Sequence, residues 1–511
     1  MPQKLQGFLP FKYEEEKDET GMTALAGLPM YLELACVAGL RDSIERHVKV
    51  CNDSQGWTDA QVLLSLVLLN IAGGSCVDDL EMLQGDAGFG EVLRRVETHG
   101  MPRAKRRGLL KRWRKERLRS VPSPSAARRR LEAFHDAQEM ASRQDHTAFI
   151  PAASEHLQAM TRVNADLLNF VAKRSKQKVA TLDQDATLIE TYKDEALFCY
   201  KGFKAYQPLN TYWAEEELMV HTEFRDGNVP AGHEALRVLQ DALLCLPDSV
   251  EKVMLRADTA CYQHDVMRFC ARERGDRFGV IEFAISADVT PQFKAAVSSV
   301  PDGEWRGLEP NTPSGQTRQE WAEVVYVPNV VAHDKKCPEF RYIAIREPLR
   351  SVQTDLNGQL ILPNCPAVDF GVQGLYKVSG IVTNRTYDMP GNQVIRWQRQ
   401  RCGKSEEAHS VLKEDLAGGQ LPSGKFGANA AWWGISVLAF NLNSIMKRMV
   451  LKGEWANKRL KAIRFAFINL PGRIVHHARQ LIIRLTKGHP SNSLLLEARR
   501  TSFHLAYGPS G

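Results

Sequence analysis

The chain has 511 residues, of which 25% are charged and 43% hydrophobic, and its net charge is +7. This length predicts two to four structural units in a globular protein. No long apolar run opens the chain, and the apolar stretches 62–72 and 428–446 fit buried helices better than membrane spans. Ten cysteines without a C-x-x-C pair argue against a zinc module or disulfide scaffold, and we expect a cytoplasmic, nucleoid-associated protein.

The positive charge is concentrated in two segments. Residues 103–130 hold 13 Lys/Arg against one acid and residues 447–500 hold 13 against two, which leaves −16 for the rest. Solvated surface is the alternative, but two dense basic segments around an acidic body fit a polyanion, because each neutralised phosphate releases counterions. The candidate phosphate contacts in the first segment are Arg106, Arg107, Arg112, Arg114, Arg128 and Arg129.

The first 165 residues are predicted to be helical, as an amino-terminal region 1–100 and a basic DNA-binding region 101–165. Thr58 and Gln61 form a capping box before an apolar run that ends at Gly73-Gly74. A short helical stretch follows, so that a helix-turn-helix is compatible with the pattern, although simple packing explains most such pairs.

Strands begin near residue 178, and the first one carries two acids. The stretch VATLDQDATLI (179–189) reads as a buried strand in which Asp183 and Asp185 share one face. Two like charges there are costly to bury unless a cation or hydrogen bonds compensate them. The alternative is a strand end whose acids reach water.

The order of elements over 166–299 is strand, strand, strand, helix, strand, helix, strand. This order resembles the first part of a ribonuclease H-like core, in which the first and fourth strands are neighbours, so the first-strand aspartate and Asp258 would meet. Residues 300–395 are rich in Pro, Gly and β-prone runs and are interpreted as an inserted β subdomain. Its Trp305 and Trp321 are expected in the core, with stacking on an unpaired base as the alternative.

A third acid lies on a helix near the end of the core. SEEAHSVLKEDL (405–416) is amphipathic, with Ala408, Val411, Leu412 and Leu416 on the buried side, and Glu406 and Glu407 in the first turn. His409 is expected on the helix surface, with orientation of a ligand as the alternative. We assign 396–446 to the final core helices and 447–511 to a basic helical tail.

Asp185, Asp258 and Glu406 together suggest a metal-dependent site for phosphodiester chemistry. Such sites use two hard cations about 4 Å apart, and carboxylates are their preferred ligands.

The pieces LDQDAT, YKGFKAYQPL, FRDGNV, LRADTA, RQRCGKSEEAHSVLKEDL and LPGRIVHHARQLIIRL resemble, in order and spacing, bacterial insertion-sequence transposases of the DDE type, specifically the group numbered thirteen-eighty. The resemblance runs from about Leu182 to Leu485. It implies an α/β protein with a ribonuclease H-like mixed sheet, a β-rich insertion, a helical DNA-binding region before the core and a basic helical tail after it. It also implies cut-and-paste transposition of an element with inverted terminal repeats.

Carried over by position, the resemblance makes Asp185, Asp258 and Glu406 the catalytic acids and ligands of two Mg²⁺ ions, which Mn²⁺ can replace. Asp183 is a rival for the first acid and a further candidate metal ligand. Glu406 is preferred to Glu407 because Lys413 follows it by seven residues, as in related transposases.

Arg256, Arg401 and Lys413 are expected DNA contacts, with Arg401 and Lys413 near the cut; pairing with surface acids is the alternative for these two. Where related transposases have a tyrosine this chain has Arg399, and the signature arginine is offset to Arg401.

The expected partners are double-stranded DNA, as terminal repeats and target, and a second copy of the chain assembled on the paired ends. Two other functions remain open at this point. One is a transposase-derived DNA-binding protein that no longer cuts, and the other is a metal-dependent nuclease that hydrolyses DNA without joining it.

Overall fold

A computed structural model describes most of the chain. Its described residues are 5–6, 12–13, 21–50, 56–108, 119–144, 147–272, 276–308, 319–328, 339–349, 353–354, 360–361 and 366–507. Within these ranges no single helix is both long and apolar enough to cross a membrane; one bent pair, Asp59–Ala72 with Val77–Gly85, passes by length and composition, with 97° between its parts.

The amino-terminal part is helical, as predicted. Its helices are α1 (Leu28–Val37), α2 (Leu40–His47), α3 (Asp59–Ala72), α4 (Leu80–Gly85), α5 (Ala87–Glu97), α6 (Pro124–Glu132), α7 (Ala137–Ala141) and α8 (Glu155–Ala172). The predicted capping box is present: the Thr58 hydroxyl accepts the backbone N–H of Gln61, and the Gln61 side-chain oxygen accepts the backbone N–H of Thr58. Helix α3 ends at Gly73, whose φ of 108° suits glycine. Since α3 is almost wholly buried, it cannot lie in a DNA groove.

A mixed sheet of ten strands forms the centre of the molecule. Its first five strands are β4 (Val179–Ala186), β8 (Leu209–Trp213), β9 (Leu218–Glu223), β10 (Lys252–Ala257) and β11 (Glu282–Ala287). They lie in the order β9-β8-β4-β10-β11. Strands β4, β10 and β11 are parallel, β8 is antiparallel to β4, and β9 is antiparallel to β8. This arrangement is consistent with a ribonuclease H-like core, and it places the first and fourth strands side by side as expected.

The strands of the segment 300–395 extend this sheet. They are β12 (Arg306–Gly307), β13 (Glu320–Val324), β14 (Arg341–Pro348), β17 (Ala367–Asp369) and β18 (Leu375–Thr383). Strand β18 pairs with β11 over Ala284–Ala287 and with β14 on its other side. The interpretation as a separate β subdomain is therefore corrected, because backbone hydrogen bonds make these strands one edge of the central sheet.

Trp305 and Trp321 lie in the interior of this edge, as expected. Trp305 is 8% exposed and Trp321 5%. The Arg346 guanidinium lies 4.2 Å from the centre of the Trp305 ring, and Arg306 lies 5.3 Å from that of Trp321. Neither ring is available for stacking on a base in this conformation.

The remaining α-helices of the described residues lie between and after the strands of the central sheet. They are α9 (Ala235–Cys245), α10 (His264–Ala271), α11 (Pro291–Ser298), α12 (Gly391–Arg399), α13 (Arg401–Ser410), α14 (Phe426–Ile445), α15 (Leu460–Ile463) and α16 (Asn492–Tyr507). Helix α14 is buried along nearly its whole length and contacts α3, α8 and β9. It therefore joins the amino-terminal helices to the sheet.

The basic tail is only partly helical, which corrects the sequence prediction. Strands β19 (Gly472–His477) and β20 (Gln480–Leu485) form an antiparallel hairpin, and β19 also pairs with β3 (Met22–Thr23). The alternation in GRIVHHARQLIIRL has the period of two that suits a strand. The remaining short strands are β1 (Leu5–Gln6), β2 (Lys12–Tyr13), β5 (Ile189–Glu190), β6 (Leu197–Phe198), β7 (Lys204–Tyr206), β15 (Gln353–Thr354) and β16 (Leu360–Ile361).

Candidate active site

The parallel pairing of β4 and β10 brings two of the predicted acids to the same end of the sheet. Gln184 is in register with Ala257, so Asp185 and Asp258 are the next residues on the two strands. Asp258 stands where β10 ends, and its Oδ1 accepts the backbone N–H of Ala260 at 3.0 Å. The carboxyl ends of parallel strands are a common place for a site, since several loops begin there.

Asp183 is held in a buried ion pair. Its two oxygens accept Nε and Nη2 of Arg256 at 2.6 and 2.8 Å, and the two side chains are 0% and 3% exposed. Arg256 also donates to the backbone oxygen of Trp397 at 3.0 Å. Burial raises the pKa of Asp183, and the paired guanidinium opposes that rise.

This ion pair corrects two sequence expectations. The side chain of Arg256 is too buried to reach DNA phosphate, and both oxygens of Asp183 are already occupied. We therefore remove Arg256 from the expected DNA contacts and Asp183 from the expected metal ligands.

Asp185 lies in a different environment on the same strand. Its Oδ2 accepts Arg401 Nη1 at 3.0 Å, and its side chain is 15% exposed. Burial raises the pKa of Asp185 to about 6; the charges of Asp258 and Glu406 also raise it, whereas Arg401 lowers it. The charges of Asp258 and Glu406 are thus close enough to act on Asp185.

Glu406 is presented by α13, and the amphipathic pattern explains how. Ala408, Val411, Leu412 and Leu416 are buried as predicted, whereas Glu406 and Glu407 are exposed. Cys402 and Gly403 are not helical, and Gly403 has φ +94°, so the chain turns sharply between Arg401 and Glu406. After Ser410 the helix continues as a π-helical turn, Val411–Asp415.

The three carboxylates suit a hard divalent cation by their chemistry. They do not form a ready metal site, because within the described ranges no group of three or more His, Cys, Asp and Glu side chains is placed to hold a metal ion. Arg401 supplies the positive charge beside Asp185 in this conformation. Binding of a cation would therefore require Arg401 to leave Oδ2 and Glu406 to approach.

The other predicted DNA contacts fall into three groups. Arg107 and Arg129 are exposed and Arg106 is half-buried, whereas Arg128 is paired with Asp78. Lys413 is half-buried, and its Nζ donates to the Leu188 carbonyl at 3.4 Å. Arg112 and Arg114 lie outside the described residues.

His409 is buried, which corrects the expectation of a surface residue. Its Nε2 lies 3.2 Å from Asn210 Nδ2, and its Nδ1 lies 4.0 Å from Asp185 Oδ2. Burial, together with the charges of Lys413 and Arg401, lowers the pKa of His409 to about 4. The sequence analysis did not identify Asn210, which is itself buried; the available signal was a polar amide in the strand LNTYW.

Comparison with known proteins identifies the family of the chain. The family model described as "Transposase DDE domain group 1" matches residues 15–344 and 368–504. Among solved structures, the chain is similar to the piggyBac transposase in a synaptic complex with hairpin DNA, at 8% identity and a TM-score of 0.35, over 94% of this chain and 77% of that one. A search of curated proteins found no match.

Proposed function

Because this chain belongs to the DDE transposase family, we propose that it cuts DNA at the terminal inverted repeats of an insertion sequence and joins the released ends to target DNA. The finer assignment to the thirteen-eighty group of insertion sequences is part of this proposal. So is the cut-and-paste route.

The observation that carries the proposal is that Asp185 and Asp258 lie at the same end of two paired parallel strands, with the charge of Glu406 near enough to act on Asp185. Asp258 and Glu406 both raise the pKa of Asp185, as expected for carboxylates that share a site. Active sites are where such costs are tolerated.

We assign these three residues to the binding of Mg²⁺, with Mn²⁺ as a substitute. Bound cations would activate the attacking oxygen and stabilise the departing 3′-oxygen. Asp185 must first lose its bond to Arg401, whose guanidinium is then available for a DNA phosphate. Lys413, one turn beyond His409, is the second proposed phosphate contact on this helix.

The exposed arginines Arg107 and Arg129, with Arg106, are proposed to hold the DNA outside the cleavage site. Their contacts would be to phosphate and independent of sequence. A dimer assembled on two paired ends is the proposed active form.

The proposal is tested with a labelled duplex that carries both ends of the element flanking the gene. We expect cutting at the ends only when Mg²⁺ or Mn²⁺ is present. Glu406→Gln should reduce the single-turnover cutting rate by more than about 100-fold. Loss of a residue that only orients a metal ligand costs up to about 100-fold, and loss of a ligand itself should cost more. The matched control is Glu407→Gln, since Glu407 is equally exposed on the same turn.

A catalytically inert DNA-binding protein is the alternative function. The ion pair between Arg401 and Asp185 favours it, because it compensates the first acid without a metal. Tight binding of the paired ends without cutting in either metal would support this alternative and contradict the enzyme. Cutting without joining to target DNA would instead indicate a nuclease.

A further inference from the structure

A chain of hydrogen bonds leads from the core to His409, which faces the proposed first catalytic acid. Trp433 Nε1 donates to Thr222 Oγ1 at 2.8 Å, and Thr222 Oγ1 donates to Asn210 Oδ1 at 2.6 Å. Asn210 Nδ2 then lies 3.2 Å from His409 Nε2, and His409 Nδ1 faces Asp185 Oδ2 at 4.0 Å. These five side chains come from α14, β9, β8, α13 and β4.

The direction of each bond follows from the one before it. An indole N–H can only donate, so Thr222 Oγ1 accepts from Trp433 and keeps one proton to give. The 2.6 Å separation from Asn210 is typical of an O–H···O bond and short for N–H···O, which places the amide oxygen towards Thr222. The amide nitrogen of Asn210 therefore faces His409.

That orientation determines the protonation of the imidazole. Two N–H groups cannot bond to each other, so Nε2 must be the acceptor for the Asn210 amide. The ring is then neutral, and its single proton lies on Nδ1, the nitrogen that faces Asp185. The reverse orientation would leave the Thr222 proton without this acceptor and direct the bare Nδ1 lone pair at a carboxylate.

We propose that His409 is a positioning residue for Asp185, held as the Nδ1–H tautomer by the relay through Asn210, Thr222 and Trp433. Its N–H dipole points a positive end at Oδ2 and orients the carboxylate. This role in the reaction rests on the proposed function, whereas the tautomer itself does not. At 4.0 Å this contact is a charge–dipole interaction, longer than the outer hydrogen bonds that commonly orient metal ligands elsewhere.

The relay of Trp433, Thr222 and Asn210 predicts that the Thr222 hydroxyl, two hydrogen bonds away from the His409 imidazole, controls the tautomer of that imidazole. Thr222→Val keeps the shape of the side chain but neither accepts from Trp433 nor donates to Asn210. The Asn210 amide can then rotate, and His409 should become a mixture of tautomers. Thr222→Ser should restore the parent tautomer, because the hydroxyl remains.

Nitrogen-15 NMR of the metal-free full chain, labelled at its histidines and measured at pH 7, shows which ring nitrogen of each histidine carries a proton. The signals of His409 are those that are missing from the spectrum of His409→Gln. We expect a proton on Nδ1 alone in the parent protein. Asn210→Asp, which replaces the donor by an acceptor, should put a proton on Nε2, and it provides a second readout if Thr222→Val folds poorly. A proton on Nε2 in the parent, or an unchanged tautomer in Asn210→Asp and in folded Thr222→Val, would overturn the relay.

Single-turnover cutting tests the positioning role. Thr222→Val should lower the cutting rate by roughly 10-fold without weakening DNA binding, with the rate regained in Thr222→Ser. An altered tautomer with an unchanged rate would refute the positioning role. If the parent protein cuts no DNA, the proposed function fails, while the NMR result still decides the relay.

Discussion

Asp183→Asn and Asp185→Asn are expected to change the stability of the fold in opposite directions, although the two carboxylates lie two residues apart on β4. The reason is the cation that each one faces. Asp183 satisfies a buried arginine through two hydrogen bonds, whereas Asp185 has one bond to Arg401 and two acidic neighbours.

Asp183→Asn should destabilise the fold by about 3–5 kcal/mol, the usual cost of removing one partner of a buried ion pair. Arg256 is 3% exposed and cannot release its proton, so its charge would remain buried with a neutral partner. Burial raises the pKa of Asp183 and so favours a neutral side chain there, which acts against this loss, and we therefore expect a value at the lower end of the range. The double variant Asp183→Leu with Arg256→Met removes both charges and should recover most of the loss.

Asp185→Asn should stabilise the fold by up to about 3 kcal/mol above pH 6. The rise of the pKa from 3.8 to about 6 means that ionisation of Asp185 costs the folded state about 3 kcal/mol, at roughly 1.4 kcal/mol per pKa unit. Since the folded state holds this proton more tightly than the unfolded chain, the parent loses stability as pH rises from about 4 to 6. The variant lacks this loss, so the two proteins should converge below pH 4.

Urea unfolding in EDTA at pH 4, 5, 6 and 7.5 measures both effects, provided that fluorescence and circular dichroism transitions coincide. Without metal, the only charges acting at the site are those of the protein. Destabilisation by Asp185→Asn at pH 7.5, or no loss in Asp183→Asn, would refute the assignment of Asp183 as the structural acid and Asp185 as the strained one.

Two further predictions concern DNA binding and packing. Arg107→Ala and Arg129→Ala should each reduce the slope of log affinity against log salt concentration by about 0.9, measured by fluorescence anisotropy. Arg128→Ala should change the slope less, because Arg128 is paired with Asp78. Equal slopes in all variants would show that these arginines do not contact DNA. Gly227→Ala should lower the free energy of unfolding in urea by at least about 1–3 kcal/mol, because the new Cβ would lie 2.4 Å from the backbone oxygen of Ala205. Gly303 has open space around it, so Gly303→Ala should change the free energy of unfolding by no more than about 0.5 kcal/mol. Similar losses in the two variants would contradict the packing argument.

Local patterns predicted the elements of the site well. The strand around Asp185, the short strand that ends before Asp258 and the buried face of the Glu406 helix all depend on residues close together in the chain. Their periodicities of two and about 3.6 residues are set by backbone geometry, which every segment obeys independently of its partners. The same holds for the capping box of Thr58 and Gln61.

Assignments that depend on distant partners were less accurate. Both Asp183 and Asp185 fit the pattern of a first-strand acid, and the choice between them depends on Arg256 from β10 and on Arg401 after α12. Arg256 was expected to contact DNA because the sequence shows its positive charge, whereas its burial against Asp183 depends on the pairing of β4 and β10.

The sequence by itself indicated the DDE transposase family and the order of strands and helices, and it supplied the three acids now proposed for the site, because these depend on short motifs and local periodicity. Only the tertiary structure decided which aspartate is neutralised, that His409 is buried against Asn210, and that the strands of 300–395 extend the central sheet. The physical reason is that charge compensation, burial and strand pairing arise between residues far apart in the chain, and no local pattern specifies the partner.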